Sequence, residues 1–197
     1  MTRNTGRAQC AHTADPCNKV TACGMIGPPD AIGRAVLSHH PLAVSLAILQ
    51  IEWMTHRHFL DSVQDNQTLD PQFKSLLRHH WMEEVRHAKL DTLMTEEIAA
   101  RCSEKEREEA VQGYLEIGAF LDGGLAQQAE LDAESFARAT GRRLSATEHD
   151  MFVATTHQAL RWTFIGSGMS HANFLATVDR VHPGAAAQLK AVTPAFC

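Results

Sequence analysis

His79-His80-Trp81-Met82-Glu83-Glu84-Val85-Arg86-His87-Ala88-Lys89-Leu90-Asp91 is the stretch whose periodicity sets the reading of the chain. At about 100° per residue, a helix through it puts Phe73, Leu77, His80, Glu84, His87, Ala88 and Asp91 on one stripe and turns Arg78, Arg86 and Lys89 elsewhere. A carboxylate and two imidazoles then share an otherwise apolar face. An ionised Glu buried there costs several kcal/mol unless it is protonated, ion-paired or bound to a cation. The spacing favours a cation: Glu84 and His87 are i, i+3 neighbours that can offer an oxygen and a nitrogen from one turn. His80 lies one turn earlier. Asp91 lies one turn later, placed to accept from the other ring N–H of His87.

A second acid repeats the pattern upstream. The stripe around Glu52 holds Ser45, Ile48, Leu49, Thr55, His56, Phe59 and Val63, so Glu52 is again a carboxylate in an apolar face, with His56 one turn on. Helical periodicity runs from Asp30 to Val63, broken or kinked at Pro41. After the polar loop Asp65-Asn66-Gln67-Thr68, a second helix is expected from Asp70 to Arg101, with Pro71 in its first turn. Ser103 with Glu106 forms a capping-box pattern that opens a third helix, which Gly141 stops. One face of it reads Glu116, Ala119, Gly123, Ala126, Glu130, Ala133, Glu134, Ala137: small residues flanking acids, which allow close helix approach or leave room for a small molecule. Ser145 with Glu148 opens a fourth helix carrying His157, Leu160, Arg161, Phe164 and His171 on one face, with a bend expected at Gly166 and Gly168 and an end at Pro183-Gly184. No strand-like alternation competes. The expectation is an all-α chain: a flexible Cys-containing arm over 1–29, a four-helix bundle over 30–182, and an Ala-rich tail over 183–197.

Composition narrows the classes. A net charge of −5 with no basic stripe argues against nucleic acid as a partner, while 12 His in 197 residues is out of proportion. No run of about 18 apolar residues exists to span a membrane, and residues 1–25 lack the apolar centre of a signal peptide, so a cytoplasmic address is expected. Cys10, Cys17, Cys23, Cys102 and Cys197 are odd in number and mostly terminal, which disfavours a disulfide framework. Cys10, His12, Cys17 and Cys23 could form a small metal knot, though their spacing fits no zinc pattern and free thiols are expected.

Glu52, Glu84-x-x-His87, Glu130 and His157 stand on four successive predicted helices whose faces would meet in a bundle core. This arrangement resembles the ferritin-like di-iron carboxylate proteins, whose motif is a Glu on each of two helices and a Glu-x-x-His on each of the other two. The resemblance covers residues 30 to about 180. Glu84-x-x-His87 follows Glu52 by 32 residues, and the resemblance implies that Glu84 bridges two metals while Glu52 and His87 bind one of them. The second half departs from the pattern: where the second Glu-x-x-His is expected, the chain reads Arg161-Trp162-Thr163-Phe164. The longer form His80-x3-Glu84-x2-His87 resembles the ligand helix of the para-aminobenzoate N-oxygenase branch, and His157-x3-Arg161-x2-Phe164 reads as a degenerate copy of it. Two outcomes fit. His157 with Glu130 or Glu134 completes a rearranged second site, with His80 and His56 adding nitrogens, or Arg161 supplies the positive charge that a second metal would have supplied.

The expected metal ligands are therefore Glu52, Glu84, His87, Glu130, His157 and His80. Carboxylates with imidazoles suit iron, with manganese as the alternative. The resemblance implies an oxidoreductase that activates dioxygen or peroxide on a small organic substrate, with an electron donor and a homodimeric chain; neither nucleic acid nor membrane is expected as a partner. Ferritin-like iron handling is an alternative, and so is hemerythrin-like dioxygen binding, to which His79-x3-Glu83 and His80-x3-Glu84 point. The remaining alternative is a bundle that has lost its metals, with Arg161 pairing with Glu84 or Glu130.

Overall fold

Proline decides where the first helices begin. Pro29 opens α1 (Pro29–Leu37) and Pro41 opens α2 (Pro41–His58), each in a first turn whose N–H has no helical acceptor anyway. The chain at Pro41 is thus split rather than kinked, and the His40 ring caps α2 by accepting from Leu42 N at 3.1 Å. The computed structural model describes residues 27–196, and all their regular structure is helical. Most of the expected arm, with Cys10, His12, Cys17 and Cys23, lies outside the described residues.

α3 spans Pro71–Ala100 behind Asp70, whose carboxylate accepts from Gln72 N and Phe73 N at 2.9 and 3.0 Å. Both predicted capping boxes form, Ser103 with Glu106 opening α4 (Glu104–Thr140) and Ser145 with Glu148 opening α5 (Ala146–Arg161). Gly141 ends α4 at φ 67, a left-handed conformation that costs glycine nothing. α2 and α5 each run on into a π-helical turn, Phe59–Val63 and Trp162–Gly166. After α6 (Ser167–Met169) the chain bends at Ser170 and His171 into α7 (Ala172–Val181). No helix among the described residues is long and apolar enough to cross a membrane.

α2 is the central element, packed against α3, α4, α6 and α7. Leu42, Leu46, Leu49 and Trp53 of α2 meet Tyr114 and Ile117 of α4, Ile165 and Met169 around α6, and Phe174 and Val178 of α7 in one buried cluster. Inside it both ends of the Gln50 amide are engaged: its Nε2 donates to the Phe164 carbonyl at 2.8 Å, and its Oε1 accepts from the buried Tyr114 hydroxyl at 3.1 Å. Gly168 is what lets α6 come so close, since a Cβ there would lie 2.3 Å from the Gln50 carbonyl oxygen. The glycines near 166–168 therefore serve close approach, and the bend they were expected to cause falls a few residues later. The expected Ala-rich tail is itself structured: α8 (Ala185–Val192) and a 3-10 turn (Thr193–Phe196) bury Leu189 and Phe196 in the core.

Candidate metal centre

Ser45 on α2 shares a hydrogen bond of 2.7 Å with Thr95 on α3, and Trp81 of α3 stacks on Phe59 at 4.8 Å between ring centres. These contacts fix the register of the two helices and leave Glu52 opposite Glu84 and His87. One ligand atom from each of Glu52, Glu84 and His87 lies within 4.8 Å of the other two. Glu84 is the hub: one oxygen meets His87 Nδ1 and the other His80 Nδ1, both at 3.0 Å. The Glu84 side chain is only 15% exposed, whereas those of His87 and His80 are 57% and 53% exposed.

The two carboxyls divide one proton between them. Burial, and then the neighbouring Glu84 carboxylate, push Glu52 up to about 8, so at neutral pH it is held protonated and donates to Glu84. Accepting from Glu52 and then from His87 holds Glu84 below its ordinary range despite its partial burial. The bond to Glu84 likewise raises His87. Glu52 Oε2 is itself buried with no hydrogen-bond partner among the described residues. A cation between the acids would satisfy that oxygen and remove the repulsion. Two carboxylates, one imidazole and an adjacent second imidazole form a donor set that fits iron or manganese. Asp91 is raised mainly by its own burial, and among the described residues no hydrogen bond joins it to His87, which spends its Nδ1 on Glu84.

The direction in which this cluster faces differs from expectation. Gln50 and Glu52 are two residues apart, about 200° around the helix, so they leave α2 on nearly opposite sides. Gln50 points at Phe164 and Tyr114, hence Glu52 points away from α4 and from the Trp162–Gly166 turn. On α3 the buried residues are Ala88, Thr95 and Ala99, while His80 and His87 stand on an exposed flank. The acids therefore sit in the groove between α2 and α3 and open outward, not into a space shared with α4 and α5.

Glu130 and His157, expected to complete the ligand set, lie elsewhere. Glu130 is exposed on α4 and faces His149 Nε2 at 3.3 Å. His157 Nε2 is 2.9 Å from Asp122 of α4, which Arg161 also grips through Nε at 2.9 Å and through Nη2. Burial pushes Asp122 up, but its bonds to Arg161 and His157 outweigh that and hold it below the usual range. So Arg161 pairs with Asp122, not with Glu84 or Glu130, and Glu134 faces Arg138 at 3.4 Å. The reason is the same rotation of α2: the second-half residues meet one another across α4 and α5, on the side that Glu52 faces away from. The small-residue face of α4 lines a cleft of about 560 Å³ against α1, which has no lining residue in common with the acids.

His56 is also placed differently, packed among rings rather than on the acids. Its ring lies 5.9 Å from Trp81, 5.5 Å from Trp53 and 5.3 Å from His171, and Trp53 stacks on His171 at 4.6 Å. Burial, then His56 and Arg57, lower His171 to about 4, and burial lowers His56, so both are neutral at pH 7. The sequence pattern missed Asp122 and this aromatic cluster. Asp122 stands one residue before Gly123 and one turn before Ala126 of the small-residue face, but no acid-and-base spacing in the sequence tied it to His157 or Arg161. No protein-family model matches this chain, no curated protein matches it, and no solved structure matches it.

Proposed function

We propose that the chain is a ferritin-like helical-bundle protein, with α2, α3, α4 and the α5–α7 stretch as its long elements, and that Glu52, Glu84 and His87 bind iron, or manganese in its place, for an oxidoreductase reaction with dioxygen or peroxide. The observation that carries this reading is the cluster itself: three ligand atoms from two helices within 4.8 Å, in which Glu52 also keeps a buried oxygen, Oε2, without a hydrogen-bond partner among the described residues. Such a centre supplies electron transfer to oxygen and Lewis acidity when the metal is bound. The chain's own residues do the rest. Glu84 holds His80 and His87 in place through both its oxygens, Trp81 and Phe59 wall one end of the groove, and Glu52 keeps or yields the proton that metal binding must displace.

A second reading, iron oxidation or storage in which the metal is itself the substrate, is favoured by one feature. His80 and His87 are more than half exposed, so the site is reached directly from solvent. Anaerobic addition of ferrous iron followed by air tests both readings. A visible absorption band that appears with oxygen supports an oxygen-reactive iron centre, and its dependence on an added organic reductant or substrate separates the two. A colourless protein that consumes no oxygen overturns both.

A further inference from the structure

The α2/α3 hairpin carries a packing seam on the side where the acids open. On α3, Leu76, His80, Glu83, His87, Leu90 and Met94 are exposed and succeed one another at steps of four and three residues. On α2, Val44, Ile48, Ile51 and Thr55 repeat the same steps. That alternation is the contact stripe of a helix lying along another helix. Yet Leu76 and Leu90 keep 63% and 56% of their surface exposed, and Ile48 keeps 48%. On α3 the stripe is apolar at its ends, with His80, Glu83 and His87 between them, and Glu52 and Glu84 lie half-buried beside it in the groove.

The ligand count points to what covers it. A two-metal carboxylate centre takes a Glu from each of two helices and a Glu-x-x-His from each of two others. This chain offers one Glu and one Glu-x-x-His at the groove, and its second half is committed to Asp122 and His149. Two copies of the same hairpin supply the full set, and a face that meets itself is what a two-fold dimer requires. The charges agree: once metal binding displaces the proton of each Glu52–Glu84 pair, the four carboxylates of two copies balance two divalent ions.

We propose that this face binds the same face of a second copy of the chain, so that Glu52, Glu84 and His87 of both copies enclose one two-metal centre. The inference rests on the metal reading given above. It explains why the second Glu-x-x-His is missing from a single chain, and it makes association and metal binding reinforce each other.

The test uses the full chain with Mn2+, followed by sedimentation equilibrium and by electron paramagnetic resonance. The expected result is a dimer association strengthened about tenfold or more by Mn2+, with the bound ions exchange-coupled. Ile48→Asp with Leu90→Asp, both exposed positions, should keep the helical circular dichroism and lose both the dimer and the coupling. A monomer whose bound Mn2+ shows the hyperfine pattern of isolated ions would overturn the inference and leave the metal reading standing. A dimer that persists in the double variant would overturn it as well. No Mn2+ binding by the wild-type chain would remove the metal reading and this inference with it.

Discussion

Replacing Glu52 by Gln should stabilise the metal-free protein at pH 8 and leave it nearly unchanged at pH 5. The wild-type acid is held protonated in the fold, pushed up to about 8 from an ordinary 4.5 by burial and then by Glu84. A raised carboxyl binds its proton more tightly folded than unfolded, so its favourable contribution is whole below pH 4.5 and is lost as the pH climbs to about 8. A shift of that size would correspond to roughly 5 kcal/mol in a sealed site. Water reaches the groove past His80 and His87, and the opposite shift of Glu84 offsets part of the effect, which leaves about 2 kcal/mol. Glutamine keeps an N–H for Glu84 and has no proton to lose, so that loss disappears in the variant. Urea unfolding in chelator at pH 5, 6.5 and 8 reads the difference directly. A wild-type midpoint that does not fall between pH 5 and 8, or a variant no more stable than wild type at pH 8, would refute the shared proton.

Other consequences follow from the same contacts. Gly168→Ala puts a methyl 2.3 Å from the Gln50 carbonyl oxygen, against backbone that cannot swing aside, and should cost about 3 kcal/mol by urea or thermal unfolding. Arg161→Met leaves Asp122 with His157 alone; it should destabilise the fold by about 1–2 kcal/mol at neutral pH, with a smaller penalty as acid protonates Asp122, and should not change metal content. A loss of metal in that variant would show that Arg161 acts on the acids after all.

Much of the helical plan could be read from local chemistry, because caps and prolines act within a few residues of themselves. Asp70, Ser103 with Glu106, Ser145 with Glu148, and Gly141 all do what their types dictate. The pairing of Glu52 with Glu84-x-x-His87 was legible too, since two buried-stripe acids on consecutive helices must share a groove or go unpaired. Which side of α2 that groove occupies was not legible. It is decided by Gln50, whose amide is claimed by Phe164 and Tyr114, and by Gly168, whose lack of a side chain lets α6 press on that face. Both are tertiary contacts, the Gln50 bonds joining residues 64 and 114 apart in the chain, and no periodicity records them. With α2 turned that way, Glu130 and His157 could not reach the acids, and Asp122 took His157 and Arg161 instead.

The most direct measurement is the metal content of protein purified without chelator, beside the same protein carrying Glu84→Ala. Glu84 touches every other member of the cluster, so the account predicts iron or manganese approaching one ion per chain in the wild type, by the one Glu-x-x-His each chain supplies, and almost none in the variant. Equal metal in both proteins, or a wild type with less than about a tenth of an ion per chain at saturating supply, would contradict it.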